Sequence, residues 1–153
     1  MIAIGSDHAA ADLRKIVRDY LENQEIPFTD CGTDESPSDY PVIARRVCEM
    51  IQNGEADSGI LLCGTGIGMS MAANKHRGIR AAACAEPYSA KFTRLHNNAN
   101  VLCMGARVVG SGLAQEILDA FLFTEFEGGR HQKRIDMITD IEQAESGTAG
   151  KAG

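Results

Sequence analysis

No stretch of this sequence approaches the roughly 20 consecutive apolar residues of a membrane span, and the start Met1-Ile2-Ala3-Ile4 lacks the charged opening of a signal peptide. There is no Lys/Arg-rich block, and the formal net charge is −6, so neither nucleic acid nor an anionic membrane is expected as a partner. The five cysteines form no C-x-x-C pair. Their wide spacing inside apolar segments argues against a zinc site and against a disulfide framework, so reduced thiols and a cytoplasmic setting are expected. No G-x-x-x-x-G-K-[ST] loop is present, which leaves nucleotide triphosphate hydrolysis without support. What remains is an ordinary globular balance, 44% hydrophobic and 24% charged over 153 residues, enough for one domain with a sizeable core.

Short β-type runs alternate with helical patterns. Residues 1–5, 26–31, 58–63, 79–85 and 100–104 read as strands with apolar residues on both faces, which suits a buried parallel sheet. Leu13, Ile16, Val17, Tyr20 and Leu21 mark one amphipathic helix, and Ile43, Val47, Met50 and Ile51 a second that begins near Ser38-Asp39-Tyr40-Pro41. A third is expected from near Gly68 to before Gly78, with others over 87–97 and over 111–123, the latter capped by Ser111. A last helix, from about Arg130 to Gln143, would turn Ile135, Ile138 and Ile141 inward or onto a second subunit. The expectation is an α/β fold, a three-layer α/β/α sandwich on a five-stranded parallel sheet, with one domain over 1–144 and a disordered tail over 145–153.

Ligands of such folds bind beyond the carboxyl ends of the strands. That edge collects Gly5-Ser6-Asp7-His8, the segment Cys31 to Asp39, Cys63-Gly64-Thr65-Gly66-Ile67-Gly68, Glu86, and Gly105-Ala106-Arg107. Cys63 closes an apolar strand directly before a glycine-rich turn, where backbone N–H groups can converge on an anion. Asp7 and His8 can trade protons or grip hydroxyls and phosphate, although Asp7 would also serve as a helix cap. Arg130 and Arg134 stand at i and i+4 where a helix start disfavours cations, as a clamp on a phosphate would, and Arg107 is a third candidate. His96 precedes the fifth strand on the side opposite the ligand edge, so it reaches a site there only through a bent loop or another subunit. A nucleotide-binding alternative rests on G-x-G-x-G with Glu86 about 20 residues on, but Met69 stands where the third glycine is needed.

Taken together, Gly5-Ser6-Asp7-His8, Asp39-Tyr40-Pro41, the Cys63–Gly68 run, Ala72-Ala73-Asn74-Lys75, Glu86-Pro87-Tyr88-Ser89-Ala90, His96-Asn97, Gly105 to Gly110 and Glu127-Gly128-Gly129-Arg130-His131 resemble the type B ribose-5-phosphate isomerases. That family also includes allose- and galactose-6-phosphate isomerases, and the match covers residues 1–143. The resemblance implies a Rossmann-like sheet and a dimer, sometimes a tetramer, with the site between subunits and the C-terminal helix on a partner. It also implies metal-independent aldose–ketose isomerisation of a phosphorylated sugar in pentose phosphate metabolism, with no cofactor. By resemblance, Cys63 is the base between C1 and C2, and Thr65 with the amides of Gly64, Gly66, Ile67 and Gly68 binds substrate oxygens. Asp7 and His96 assist ring opening. His8, Arg107, Arg130 and Arg134 hold the phosphate, with Tyr40 and Asn97 as further contacts. A branch of the family uses a Glu at the position of Met69, which here cannot act as a base. Ala10 and Ala11 replace a common Gly-aromatic pair and leave open a six-carbon substrate. A non-catalytic dinucleotide or sugar-phosphate module is the alternative of another class.

Overall fold

The computed structural model describes residues 1–32 and 39–148. Most of the expected ligand-edge segment after the second strand, 33–38, lies outside the described residues, as do 149–153.

Five strands, β1 (Ile2–Ser6), β2 (Phe28–Asp30), β3 (Ser58–Cys63), β4 (Ala81–Ala83) and β5 (Val101–Gly105), form one parallel sheet in the order β2-β1-β3-β5-β4. Between and after them run α1 (Ala11–Asn23), α2 (Tyr40–Gln52), α3 (Ile67–Ala73), α4 (Pro87–Asn97), α5 (Ser111–Leu122) and α6 (Arg130–Thr148). The central strands are apolar on both faces because both are covered. Ile60 and Leu62 pack with Leu13, Val17 and Leu21 of α1 and Ile117 and Leu118 of α5. Leu61 and Cys63, one residue out of phase, pack with Ile43 and Val47 of α2 and Met69 of α3. These form the two interfaces of the expected three-layer sandwich. Full burial of each such Leu or Ile contributes about 1.5–3 kcal/mol.

The strand order decides where a ligand goes. From β1 the chain crosses to β2 on one side, then to β3 on the other, so the connections leaving β1 and β3 diverge at neighbouring strand ends. That reversal opens a crevice at their carboxyl ends.

Several element ends differ from expectation. Ser111 is the first residue of α5 and Gly110 occupies its cap position, with no side-chain cap. α3 starts at Ile67, one residue earlier than expected. α6 continues to Thr148, so residues 145–148 of the expected tail are helical. Ile135 alone of its isoleucine stripe is buried, at 4% exposure, whereas Ile138 and Ile141 are 51% and 64% exposed beside an exposed Met137.

Candidate active site

Cys63 is the last residue of β3 and is buried, and the Gly66 N–H donates to its Sγ at 3.1 Å. The turn that brings this N–H back to the sulfur needs glycine in two places. Gly66 has φ +78°, and a Cβ there would lie 2.9 Å from the Met104 carbonyl carbon; one on Gly105 would lie 2.6 Å from Thr65 Cα. Backbone therefore packs on backbone, and the end of β5 braces the turn from the side. Thr65, exposed at the turn's tip, accepts from the Ile67 N–H through Oγ1 at 3.2 Å. Ile67 opens α3, whose first-turn N–H groups lack intrahelical acceptors and face the same turn. Met69 is fully buried in the layer that α2 and α3 form on the sheet.

The neighbouring strand ends supply the other groups. The Asp7 N–H donates to Leu62 O at 3.1 Å, which ties the β1 loop to the residue before the thiol. Asp7 Oδ1 accepts from the Ala9 N–H at 3.0 Å, capping the 3-10 turn His8–Ala10, while His8 is exposed. Capping and placement at the edge therefore coexist. Tyr40 opens α2 and lays its ring on Gly68, where a Cβ would sit 2.8 Å from the ring. From β5, Ala106 and Arg107 donate their N–H groups to Cys63 O and Gly64 O at 2.8 and 3.0 Å. The Arg107 guanidinium stands 3.6 Å from where a Gly64 Cβ would be. Asp7, His8, Tyr40, Cys63, Arg107 and the residues 64–68 thus share one edge.

The other expected residues form a second group. His96 and Asn97 end α4, whose final carbonyls are pinned by Arg80: Nε donates to Asn97 O at 2.9 Å and Nη2 to Asn98 O at 3.0 Å. Arg130 and Arg134 lie exposed at the start of α6. The His96 ring stacks on His131 with centroids 4.1 Å apart and planes 11° from parallel, and meets Phe92 edge-on at 5.0 Å. Glu127 Oε2 lies 3.8 Å from His96 Nε2 and 3.7 Å from His131 Nε2. This cluster precedes β5, whose opposite end pairs with Cys63, and five strand residues span about 13 Å at the usual rise. Within one chain, His96, Asn97, Arg130 and Arg134 are not brought to Cys63.

Sequence reasoning missed Glu127 as a partner of His96. The signal open to it was the carboxylate four residues before His131, in a segment otherwise noted for its basic residues. Glu86 takes a different part from the one the nucleotide alternative needed. It caps α4 by accepting from the Ser89 N–H at 2.9 Å, and that bond holds its carboxyl below the usual value. All five cysteines are free. Burial pushes Cys48 up to about 12 and Cys84 up to about 11, and raises Cys103 and the half-buried Cys31, so these thiols are structural. Among the described residues, no helix is long and apolar enough to cross a membrane.

A strand-end thiol held by a glycine-turn amide, on the same sheet edge as a carboxylate, a phenol and a guanidinium at the switch point of a parallel sheet, gives an α/β site that can move a proton on a small anionic ligand. The chain belongs to the ribose/galactose isomerase family, which it matches over residues 2–138. It is 50% identical over 143 residues to ribose-5-phosphate isomerase B of Escherichia coli, covering 93% of this chain and 96% of that one. The solved ribose-5-phosphate isomerase B of Clostridium thermocellum superposes with a TM-score of 0.91 at 46% identity, covering 94% and 97% of the two chains. That of Mycoplasma genitalium, solved with bound ribulose-5-phosphate, gives 0.87 at 42% identity, covering 93% and 95%.

Proposed function

We propose that this chain is a cytoplasmic aldose–ketose isomerase interconverting ribose 5-phosphate and ribulose 5-phosphate, with Cys63 as the base. The observation that carries the reading is the Cys63 thiol, held by the Gly66 N–H at 3.1 Å where β1 and β3 diverge. The sugar enters as a furanose, and Asp7 and His96 move the proton that opens it. The Cys63 thiolate takes the C2 proton of the open-chain aldehyde, and the electrons left behind form a cis-enediolate. Its oxygen is met by Thr65 and the amides of 64–68, donors already fixed before charge develops. The proton on O2 passes to O1, and as the C2 carbonyl forms Cys63 returns its proton to C1, giving the ketose. The phosphate is held by His8, Arg107, Arg130 and Arg134, with Tyr40 and Asn97 lining the sugar. Every step is a proton transfer, so the sequence calls for no redox cofactor.

The two groups of residues, at opposite ends of β5, meet when a second copy presents His96, Asn97, Arg130 and Arg134 to the Cys63 edge. A homodimer with shared sites supplies that, and the exposed Met137, Ile138 and Ile141 of α6 offer an apolar surface for it. The relatives' names favour the five-carbon sugar over allose or galactose 6-phosphate. The test is turnover of ribose 5-phosphate by Cys63→Ala, checked as folded by circular dichroism. Loss of general-base catalysis lowers kcat by about 10²–10⁴; near-native turnover by the folded variant would overturn the assignment.

A further inference from the structure

We propose that Glu127 and His131 are positioning residues that aim the His96 imidazole for opening the sugar ring, an inference that rests on the ring-opening role given to His96 above. Opening a furanose transfers a proton: the C1 hydroxyl gives up its hydrogen, the bond from C1 to the ring oxygen breaks, C1 becomes a carbonyl, and the ring oxygen gains a hydrogen. An imidazole that mediates this transfer must present a defined nitrogen in a defined direction.

His96 sits on the surface of α4's last turn, where a ring bound only through its own side chain would rotate. Three contacts restrain it. Phe92, one turn earlier, meets its edge at 5.0 Å. His131 covers one face at 4.1 Å, and is itself immobilised by burial at 3% exposure. Glu127 brings Oε2 to 3.8 Å from Nε2, and the backbone of Glu127 is tied to the same helix through its N–H on Leu95 O at 3.1 Å. At this distance the carboxylate acts on His96 through its charge, which favours a proton on the nitrogen that faces it, Nε2.

His131 suits the role of a packing face. Burial, then the neighbouring His96, lowers its affinity for a proton, and Arg130 and Arg134 act in the same direction against Glu127. A proton is therefore disfavoured on His131, which suits a ring stacked against a second imidazole. Its Nε2 is buried without a hydrogen-bond partner and lies 3.7 Å from the same Glu127 oxygen.

Ribulose 5-phosphate separates positioning from general damage. Its 5-oxygen carries the phosphate, so it has no hydroxyl with which to close a furanose, and wash-in of solvent deuterium at its C1 reports the Cys63 step without ring opening. Glu127→Gln and His131→Phe, with His96→Ala for reference, are compared by ribose 5-phosphate kcat and KM and by this wash-in, with fold and oligomeric size checked by circular dichroism and light scattering. The expected result is a tenfold or larger fall in the ratio of ribose 5-phosphate turnover to wash-in for His96→Ala and Glu127→Gln. His131→Phe falls less, and in both positioning variants the loss is in kcat rather than KM. Equal losses on the two substrates would reduce Glu127 to a structural residue and overturn the proposal. So would native kinetics in Glu127→Gln alongside a defective His96→Ala, leaving the ring-opening role of His96 intact. An unchanged ratio in His96→Ala would overturn that role as well. If Glu127→Gln does not fold, an unchanged ratio in His131→Phe is the refuting result.

Discussion

Gly105→Ala tests whether the end of β5 holds the Cys63–Gly68 turn in place. The added carbon would lie 2.6 Å from both Cα and the carbonyl carbon of Thr65 and 2.7 Å from its oxygen, and all three are backbone atoms that no rotamer change can move. Ordinary contact begins at 3.4 Å, so the turn must retreat by about 0.8 Å. Overpacking of this kind costs about 1–3 kcal/mol. At about 2–4 °C per kcal/mol for a chain of this size, Tm falls by about 2–12 °C. The effect on rate is larger, because the turn that moves contains the Gly66 N–H on Cys63 Sγ and the first amides of α3. A displacement near 1 Å costs up to about 10² in rate when it misplaces reacting groups. Calorimetry and ribose 5-phosphate kinetics on the purified variant measure both terms. Gly112→Ala is the control, since its added carbon meets nothing within 4 Å and lies on α5, so Tm should hold or rise. If Gly105→Ala keeps kcat/KM within twofold and Tm within a degree of the wild type, the turn is not braced by β5 and the account of its rigidity fails.

Co-expressing Cys63→Ala and His96→Ala chains, each impaired alone, should restore about a quarter of wild-type activity above their own background, because half the dimers are mixed and each has one intact site of two. Restoration of nothing, with mixed dimers shown to form, would place His96 and Cys63 in the same chain's site. Glu86→Gln should lower Tm at neutral pH. The native carboxyl is held below its usual 4.5 by the Ser89 N–H, so its contribution is full above that pH and is lost as pH falls through the lower native value. The Tm difference between variant and wild type should therefore close in acid, and a difference that does not vary with pH would contradict the cap.

The strands and most helices were legible because the chain punctuates them clearly. β3 ends at Cys63 where the glycine turn begins, and α4 spans 87–97 because Pro87 suits a first turn and Asn98 takes a left-handed φ of 43°. The ligand edge was legible for the same reason, since β-α order alone puts Asp7, Cys63 and Arg107 at one end. α6 was read less well. Its isoleucines recur every three residues, and with 3.6 residues per turn each step falls about 60° short of a full turn, so Ile135, Ile138 and Ile141 wind around the helix and cannot share one contact. Its end was hidden because Glu142 is held by a distant group, the Gly78 N–H at 3.1 Å, and Ser146 bonds back to Glu142 O. The His96–Glu127 approach was out of reach for a similar reason: it joins segments separated in sequence, and no local pattern records it.

That failure and the split site have one physical origin. A parallel sheet sends every helix back toward the amino ends of the strands, so a residue at the close of α4 is carried away from the edge where β3 delivers its thiol. Nothing within a βα unit can bring both to one substrate. α6 belongs to no βα unit, starts at the His96 cluster with Arg130 and Arg134, and leaves Ile138 and Ile141 51% and 64% exposed. A helix that buried all its isoleucines on its own chain would stabilise the monomer and leave His96 stranded. Leaving them exposed gives up that stability, and it makes the helix that carries Arg130 and Arg134 also the one available to hold a second copy. On the proposed reading, association and completion of the site are then a single event: a substitution such as Ile141→Asp, far from any reacting atom, should cost activity in proportion to the dimer it dissociates.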